Sequence, residues 1–567
     1  MISLRKIGII GRTYRHFKRY RQILSVFFKY GYGDLIDLLK IEQYIDLGYK
    51  LITRKKNDDV RISKLPRAER LRMALEELGP TFIKLGQVLS TRPDLIPVSY
   101  IQELAKLQDK VPPVAVSEIK KVFTSEIGRR PEEVFEMFDD VPYASASIGQ
   151  VHRARLPDGE EVVVKIQRPG IHKTIEVDLE IILHLATLME RYIDEAAVQR
   201  PVTIVDEFAR TLEKEIDYTI EAGNMERIAR YFLSDPTLHV PKVFWEATRS
   251  RVLTQEFIDG IKVSDLARLD EAGLDRKVIN ARGADIIFKQ VFDYGFFHAD
   301  PHPGNIFVLA DNVICPVDYG MTGSVDRQTR EDFVDLIDGV VHRNEARVSR
   351  LILKLTTSDK NPDTRQLEND VADFLGQHLY KPLREIKFGK LLYSLLELLS
   401  RHRLRMPPNI FFMLKSLSTV EGVALTLDPD FDMVAKAAPF IERIKLKRYH
   451  PKRIAGDVAE FASEMVDFGR QFPKDALDIS RLIKEHRLTI KLDHLHLDTL
   501  ISSLDKISNR ISFSIIIAAL LIGSALIVLA KTPPLVLGIS MIGIIGFFIA
   551  AVMGLWLLVA IVKRGRL

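Results

Sequence analysis

Three short stretches near the middle of the chain carry residues that could do chemistry. In "VVVKIQ", Lys165 ends a run of apolar residues that follows a turn, so the side chain projects from a strand. "FFHADPHPGNIFV" holds Asp300 and Asn305 five residues apart between two apolar runs, and "VICPVDYGMTG" holds Asp318-Tyr319-Gly320 thirteen residues past Asn305. Each stretch alone is ordinary, because strand lysines are mostly exposed and Asp, Asn, Pro and Gly are common turn formers. Together they offer an ammonium for phosphate oxygens, an amide and a carboxylate for a hard cation such as Mg2+, and a further carboxylate for an acceptor proton.

The order is that of the protein kinases: strand Lys, then His-x-Asp with Asn five residues past the Asp, then Asp-aromatic-Gly. In phosphoryl transfer, positioning and charge neutralisation do most of the catalytic work. Lys165 would hold the α- and β-phosphates of ATP, Asn305 and Asp318 would ligate Mg2+, and Asp300 would orient or deprotonate the acceptor hydroxyl. No G-x-G-x-x-G precedes Lys165. Its place is taken by "YASASIGQVHRA", so Tyr143, Ala144, Ser145, Ala146, Ser147, Ile148, Gly149, Gln150 and Val151 form the expected nucleotide loop. Ala and Ser still permit close backbone approach to phosphate, but each Cβ narrows the allowed dihedrals relative to glycine.

These residues need a strand hairpin and several helices to position them. "QVHRARL", Pro157-Asp158-Gly159 and "EVVVKIQ" form a hairpin by alternation and turn chemistry. "VPKVFWEATRSRVLTQEF" predicts a second hairpin, and "LTQEFIDG" (253–260) falls where a kinase hinge would meet adenine. Helical patterns fill 172–232 and 264–297, and resume from about 327 to 485. Within the first of these, "VDLEIILHLATLMERYIDEAA" is a core-packing insert. Trp245 and the Phe-rich helices read as core, and His494 and His496 in "KLDHLHLD" lack the partners that a metal would need.

The ends of the chain differ from its middle. The formal charge of +5 comes from 81 basic and 76 acidic residues, and eight of the basic ones lie in the first 30 positions, which hold no acid. There they interleave with Ile7, Phe17, Ile23, Leu24 and Phe27 as a basic amphipathic segment, which fits an anionic membrane surface or a merely solvated face. Basic residues interrupt every apolar stretch there that a secretory signal would need. Near the other end, residues 511–530 and 535–562 are uncharged and long enough to cross a bilayer, with Lys531 and Pro533-Pro534 between them. Basic residues flank both outer ends, which puts those ends on the cytoplasmic side. The lone Cys315 excludes an intrachain disulfide and reads as a buried, inert thiol.

One further stretch, "TFIKLGQVLSTRPDL" (81–95), is silent taken alone, since Lys84 and Gln87 on a helix face are usually just solvated. Beside "KLGQ" (84–87), the chain carries "ASAS" (144–147), Lys165, "EIDYTIEAGN" (215–224), "HADPHPGN" (298–305) and "DYG" (318–320). With these motifs the sequence resembles the UbiB family of atypical kinases, which includes the coenzyme Q kinase-like proteins of mitochondria and plastids.

The resemblance implies an α+β, protein-kinase-like two-lobed fold with an N-terminal helical extension and a C-terminal two-helix transmembrane hairpin. Its expected divisions are a KxGQ-bearing extension (1–125), an N-lobe with a helical insert (126–262), a mainly helical C-lobe (263–500), and spans at 511–530 and 535–562. It also implies Glu221 as the carboxylate paired with Lys165, and Glu215 and Asp217 as a Glu-x-Asp motif. Lys84 is then expected near Glu215, with Gln87 facing the nucleotide on a regulatory lid over the ATP site. The implied activity is that of a Mg2+-ATP-dependent ATPase or small-molecule kinase supporting isoprenoid quinone (ubiquinone) biosynthesis at the inner membrane, with the bulk of the chain cytoplasmic. Membrane lipids, isoprenoid quinone precursors and quinone-biosynthesis enzymes are the expected partners, and nucleic acid is not. A non-catalytic nucleotide- or lipid-binding scaffold and a protein Ser/Thr kinase stand as alternatives.

Overall fold

The structure is a computed structural model, and it describes residues 13–39, 64–90, 92, 95–107, 111–193, 200–358, 362–378, 388–448, scattered positions between 451 and 473, 497–536 and 539–564. These fall into two compact units, residues 1–455 and 456–567. His494 and His496 lie outside the described residues.

A five-stranded antiparallel sheet heads the first unit: β1 (Met137–Phe138), β2 (Ala144–Ser145), β3 (Gly149–Arg155), β4 (Glu161–Gln167) and β5 (Val252–Glu256). The expected hairpin is β3–β4, with Arg155 opposite Glu161 across the Pro-Asp-Gly turn. Gly159 at that turn has φ +89°, a conformation that other residues adopt only with strain. Alternation along β4 sends Val162, Val164 and Ile166 into a core with Ile119, Val122 and Phe123 of the Val116–Ile127 helix. Burying each of these three is worth about 1.5–3 kcal/mol, so the register is firmly set. Lys165 is thereby fixed on the opposite face.

The second predicted hairpin does not form as two strands. Only Val252–Glu256 is a strand. Its upstream partner is reduced to isolated bridges at Val243 and Arg249 around a single turn at Trp245–Ala247. Trp245 is 42% exposed and donates through Nε1 to Glu226, so it is not a core residue.

Below the sheet the chain becomes helical, with three short strand pairings at its head: β6 (Ile261–Lys262) with β8 (Ile306–Leu309), β8 with β9 (Val313–Pro316), and β7 (Phe296–His298) with β10 (Thr322–Ser324). The helices Arg276–Phe288, Arg327–Val341, Glu345–Leu355, Thr364–His378, Phe388–Arg401, Pro408–Leu427 and Met433–Arg448 supply the large lower core. Pro408–Leu427 is apolar enough to cross a membrane, but 56% of it is buried and it packs as a core helix.

The N-terminal helices and the 171–192 insert form one further layer. Ile23, Val26, Leu75, Phe82, Ile175, Leu179 and Ile182 share a single apolar cluster. Arg19 clamps the buried Asp178 carboxylate with Nε and Nη2 at 2.7 and 2.9 Å. Ile23, Leu24 and Val26 of the Thr13–Lys29 helix are therefore spent inside the protein, Phe17 is left exposed, and Ile7 lies outside the described residues. Cys315 is fully buried, and burial pushes its thiol well up, as an inert side chain requires.

In the second unit the helices Leu497–Leu529 and Met541–Arg564 pack together. Ile511–Leu529 has the length and composition of a membrane span, and only 6% of it is buried. The second helix begins at Met541 rather than at 535. Leu535–Val536 (β11) and Ile539–Ser540 (β12) pair antiparallel after Pro533-Pro534, where proline withholds the N–H that a helix needs.

Candidate active site

Lys165 lies at the centre of β4, opposite Val151 of β3 and Leu253 of β5. Its Nζ donates to both carboxylate oxygens of Glu221, at 3.0 and 2.8 Å. Glu221 sits in the first turn of the Tyr218–Tyr231 helix, and Asp217 caps that helix by accepting from the Thr219 N–H at 3.0 Å. The same helix reaches the Asp-Tyr-Gly triplet, where Asn224 Nδ2 donates to the Tyr319 carbonyl at 3.1 Å.

Asp318 and Asn305 come together through strand register. Ile306 pairs with Pro316 across β8 and β9, so the residue before β8 and the second residue after β9 are neighbours. Asn305 Nδ2 stands 3.3 Å from Asp318 Oδ2, while the Gly320 N–H donates to Asp318 Oδ1 at 3.0 Å. Asp300 follows β7 with its backbone N–H donating to His298 Nδ1 at 3.1 Å.

One ammonium faces two acids here, and their titration divides accordingly. Burial would lower Lys165, but Glu221 and Asp318 outweigh it and hold the ammonium well above its ordinary value. Burial raises Asp318 less than Lys165, the Gly320 N–H and more distant Lys84 lower it, so it stays ionised below the usual carboxylate range. Glu221 moves the other way, because burial, reinforced by Asp318, exceeds the pull of Lys165. Of the two acids, Asp318 is the one whose charged form the cluster favours.

That charge fits Mg2+. The ion favours one or two carboxylates supplemented by substrate phosphates and waters over a cage built wholly from protein. Among the described residues there is no cluster of three or more His, Cys, Asp or Glu that would make such a cage.

The nucleotide loop runs from exposed to buried along its length. Tyr143 and Ala144 are exposed, Ser145 and Ala146 half-buried, and Ser147 buried. Ile148 joins the apolar cluster of the N-terminal helices, and Gln150 donates to the Val114 carbonyl at 3.3 Å. The side chains of Ile148 and Gln150 are thus committed to packing, leaving backbone groups as what those positions can offer a phosphate. Gly149 admits no Cβ, which would meet the Tyr218 hydroxyl and lie 2.8 Å from the Ile166 carbonyl. Val151, half-buried, faces Ala144.

Arg168, which the sequence reading missed, staples this loop. Its Nε donates to the Ala146 carbonyl at 2.9 Å, and its Nη2 donates to Ser145 Oγ and the Pro112 carbonyl, each at 2.8 Å. The available signal was an arginine three residues past Lys165 at the end of a strand, with nothing to show what it would reach.

The Pro80–Leu89 helix shares an apolar cluster with Ile148 of this loop through Phe82 and Ile83. Lys84 is buried and ion-paired with Glu215 at the end of the Pro201–Glu215 helix. Gln87 Nε2 lies 3.4 Å from the Leu107 carbonyl. The Glu-x-Asp motif therefore joins two jobs across three residues: Glu215 takes Lys84, and Asp217 caps the helix that presents Glu221.

A strand lysine paired to a helix carboxylate, with an Asp-Asn pair and the catalytic-loop Asp300 below, defines a protein-kinase-like site with an atypical phosphate loop. Comparison with known proteins agrees. Residues 106–352 match the ABC1 atypical kinase-like domain, 371–432 the UbiB helical domain, and 495–563 the ABC1/UbiB kinase-like C-terminal domain. A Cellvibrio japonicus protein described as "Probable protein kinase UbiB" is 37% identical over 81% of this chain and 82% of its own length. One of the same description from Azotobacter vinelandii is 37% identical over 84% and 86%. A Clostridium pasteurianum protein described only as uncharacterized, in the 5′ region of hydrogenase 1, is 32% identical over 97% and 99%. The chain belongs to the UbiB family of atypical kinase-like proteins.

Proposed function

We propose that the chain is a Mg2+-ATP-dependent phosphoryl-transfer protein, an ATPase or small-molecule kinase, that supports isoprenoid quinone biosynthesis, with ubiquinone the expected product. The observation that carries this reading is the Lys165–Glu221 contact together with the Asn305–Asp318 pair, since an aimed ammonium and a metal-ligand acid are what ATP chemistry needs. Asp300 accepts the proton of the acceptor O–H as the acceptor oxygen bonds the γ-phosphorus. The bond from that phosphorus to the β–γ bridging oxygen breaks, and ADP leaves with its electron pair. Lys165 binds the α- and β-phosphates, and Asn305 and Asp318 would hold Mg2+. When bound, Mg2+ would supply charge neutralisation on the phosphate oxygens.

A small acceptor or water is favoured over a protein because Lys84 ties the Pro80–Leu89 helix down beside the site. The membrane assignment draws on the apolar pair at 511–529 and 541–564 with basic flanks, which supports a two-pass anchor in the inner membrane and a cytoplasmic bulk. Membrane lipid, quinone precursors and the enzymes of that pathway are the partners this placement would serve, within the expected divisions 1–125, 126–262 and 263–500.

Mg2+-dependent ATP turnover by the purified chain, abolished in Asp318→Asn, tests the activity; normal turnover in that variant removes the metal role. The packed side chains of Ile148 and Gln150 favour one other reading, a nucleotide- or lipid-binding scaffold without turnover. The lipid quinone profile of a deletion strain decides between them. Restoration by an Asp300→Asn, Asp318→Asn double variant selects the scaffold.

A further inference from the structure

The Pro408–Leu427 helix is mostly apolar, yet its polar side chains hold working positions. Glu421 accepts from the Phe388 and Gly389 N–H groups at 2.9 and 3.2 Å, anchoring the start of the preceding helix. Ser416, fully buried, donates from Oγ to the His298 carbonyl at 2.8 Å. Lys415, one residue earlier, brings Nζ to 3.2 Å from Asp300 Oδ1, with both side chains about a third exposed (31% and 37%). Adjacent helical residues point about 100° apart, so the helix grips the catalytic loop at a dry point and at a wet one.

We propose that Lys415 is the working cation of the catalytic loop: it positions the Asp300 carboxylate and neutralises charge at the acceptor end of the transfer. The loop supplies no cation of its own, since Pro301, His302, Pro303 and Gly304 fill the space between Asp300 and Asn305. His302 Nδ1 accepts from the Gly304 N–H at 3.1 Å, a contact that needs the unprotonated nitrogen. Lys165 is held by Glu221, and Lys84 by Glu215. Among the described residues, the ion pair at Asp300 is with Lys415.

The geometry suits a mobile charge. Ser416 ties the root of the Lys415 side chain to the loop through His298, while the flexible stem and rotatable donors of lysine let the ammonium move from a carboxylate to a phosphoryl oxygen. An exposed pair of this kind adds little to folding stability. Its effect should therefore appear in turnover.

The inference rests on the phosphoryl-transfer reading, and the experiment separates the two. Full-length protein in detergent is compared with Lys415→Met and Lys415→Arg for ATP turnover with Mg2+, nucleotide Kd and Tm. Expected are a fall in kcat of roughly 100-fold in Lys415→Met, the order seen when one charge-stabilising donor is removed, with KM, Kd and Tm nearly unchanged. Recovery of most of the turnover is expected in Lys415→Arg. Wild-type kcat in Lys415→Met overturns the inference alone. A loss of kcat and Tm together that Arg does not restore makes Lys415 a structural tie, and also overturns it. A wild-type protein without turnover removes the phosphoryl-transfer reading, and the inference with it.

Discussion

Lys165 Nζ stands within 3.0 Å of both carboxylate oxygens of Glu221, a residue 56 positions further along the chain, with Asp318 completing a triad of one base and two acids. The pair is the joint between the sheet and the Tyr218–Tyr231 helix. Its worth to the fold differs from its worth to catalysis, because two desolvated acids depend on one ammonium.

Lys165→Met should therefore lose stability as well as ATP affinity. Breaking a buried pair from one side costs about 3–5 kcal/mol, and the quarter of Lys165 left in water puts this case at the lower end. Adding Glu221→Gln should recover part of the loss by removing one of the orphaned charges. Urea unfolding of the single and double variants measures this, and a double variant less stable than Lys165→Met would contradict the charge account.

A second expectation concerns the Pro80–Leu89 helix. Gly86 is packed so closely that a Cβ there would collide with Leu107 and come within 2.9 Å of Leu75 Cδ1. Gly86→Val should push the helix outward at a cost of about 1–3 kcal/mol, and Lys84→Ala should release its ion pair with Glu215. Both should change nucleotide KM and increase autophosphorylation while the far-UV spectrum stays native. Lys84→Glu with Glu215→Lys should return the KM toward wild type, because the reversed charges can still pair. Unchanged KM and autophosphorylation in Gly86→Val and Lys84→Ala would remove the lid role.

What could be read in advance was what is local. Lys165 on its hairpin, the Asp300-to-Asn305 spacing and Asp318 all follow from alternation and turn residues within a few positions. Lys84 looked solvated because a helix face carries no sign of the partner that will cover it, and Glu215 lies 131 residues away. Arg168 and Lys415 were missed for the same reason, and Asn224, though within "EIDYTIEAGN", gave no sign of its contact with Tyr319. Each acts on a backbone or carboxylate group brought near only by packing. The basic N-terminal helix misled in the opposite sense, since amphipathicity looks the same whether the apolar face meets lipid or Ile175 and Ile182.

His298 makes the catalytic loop sensitive to acid. Burial lowers its pKa below the ordinary 6.5, and neutral Nδ1 accepts from the Asp300 N–H. The unfolded chain then binds more protons than the folded one just below pH 6.5, so this contribution is complete above that value. It is lost as pH falls through the folded-state pKa. His152, His172 and His184 are shifted the same way, each chiefly by burial, so the wild type should lose stability on acidification below about 6.5. His298→Asn, which keeps an acceptor near the Asp300 N–H, should show a shallower fall in Tm between pH 6.5 and 5. A slope equal to wild type would mean that the imidazole is protonated in the fold.

In the C-terminal hairpin, helix contact depends on small residues. A Cβ at Gly546 would collide with Ser524 Oγ and lie 3.2 Å from Ser524 Cβ, while one at Gly543 would strike Val528 Cγ2 and stand 3.0 Å from the Ser524 carbonyl. If the pair is the membrane anchor proposed above, lipid offers no hydrophobic gain from pairing, so close backbone approach at glycine and serine would be what holds them. The 3.2 Å separation is just short of the 3.5–4.5 Å usual between disulfide Cβ atoms, so Ser524→Cys with Gly546→Cys, in a Cys315→Ala background, should cross-link readily in membranes under mild oxidant. Adding Gly543→Leu inserts a side chain where the backbone of the other helix sits, and should cut cross-linking several-fold while leaving the protein in the membrane fraction, because each helix keeps its apolar surface. Equal cross-linking in the Leu variant would show that the turn at 531–540, rather than the glycine contact, sets the pairing.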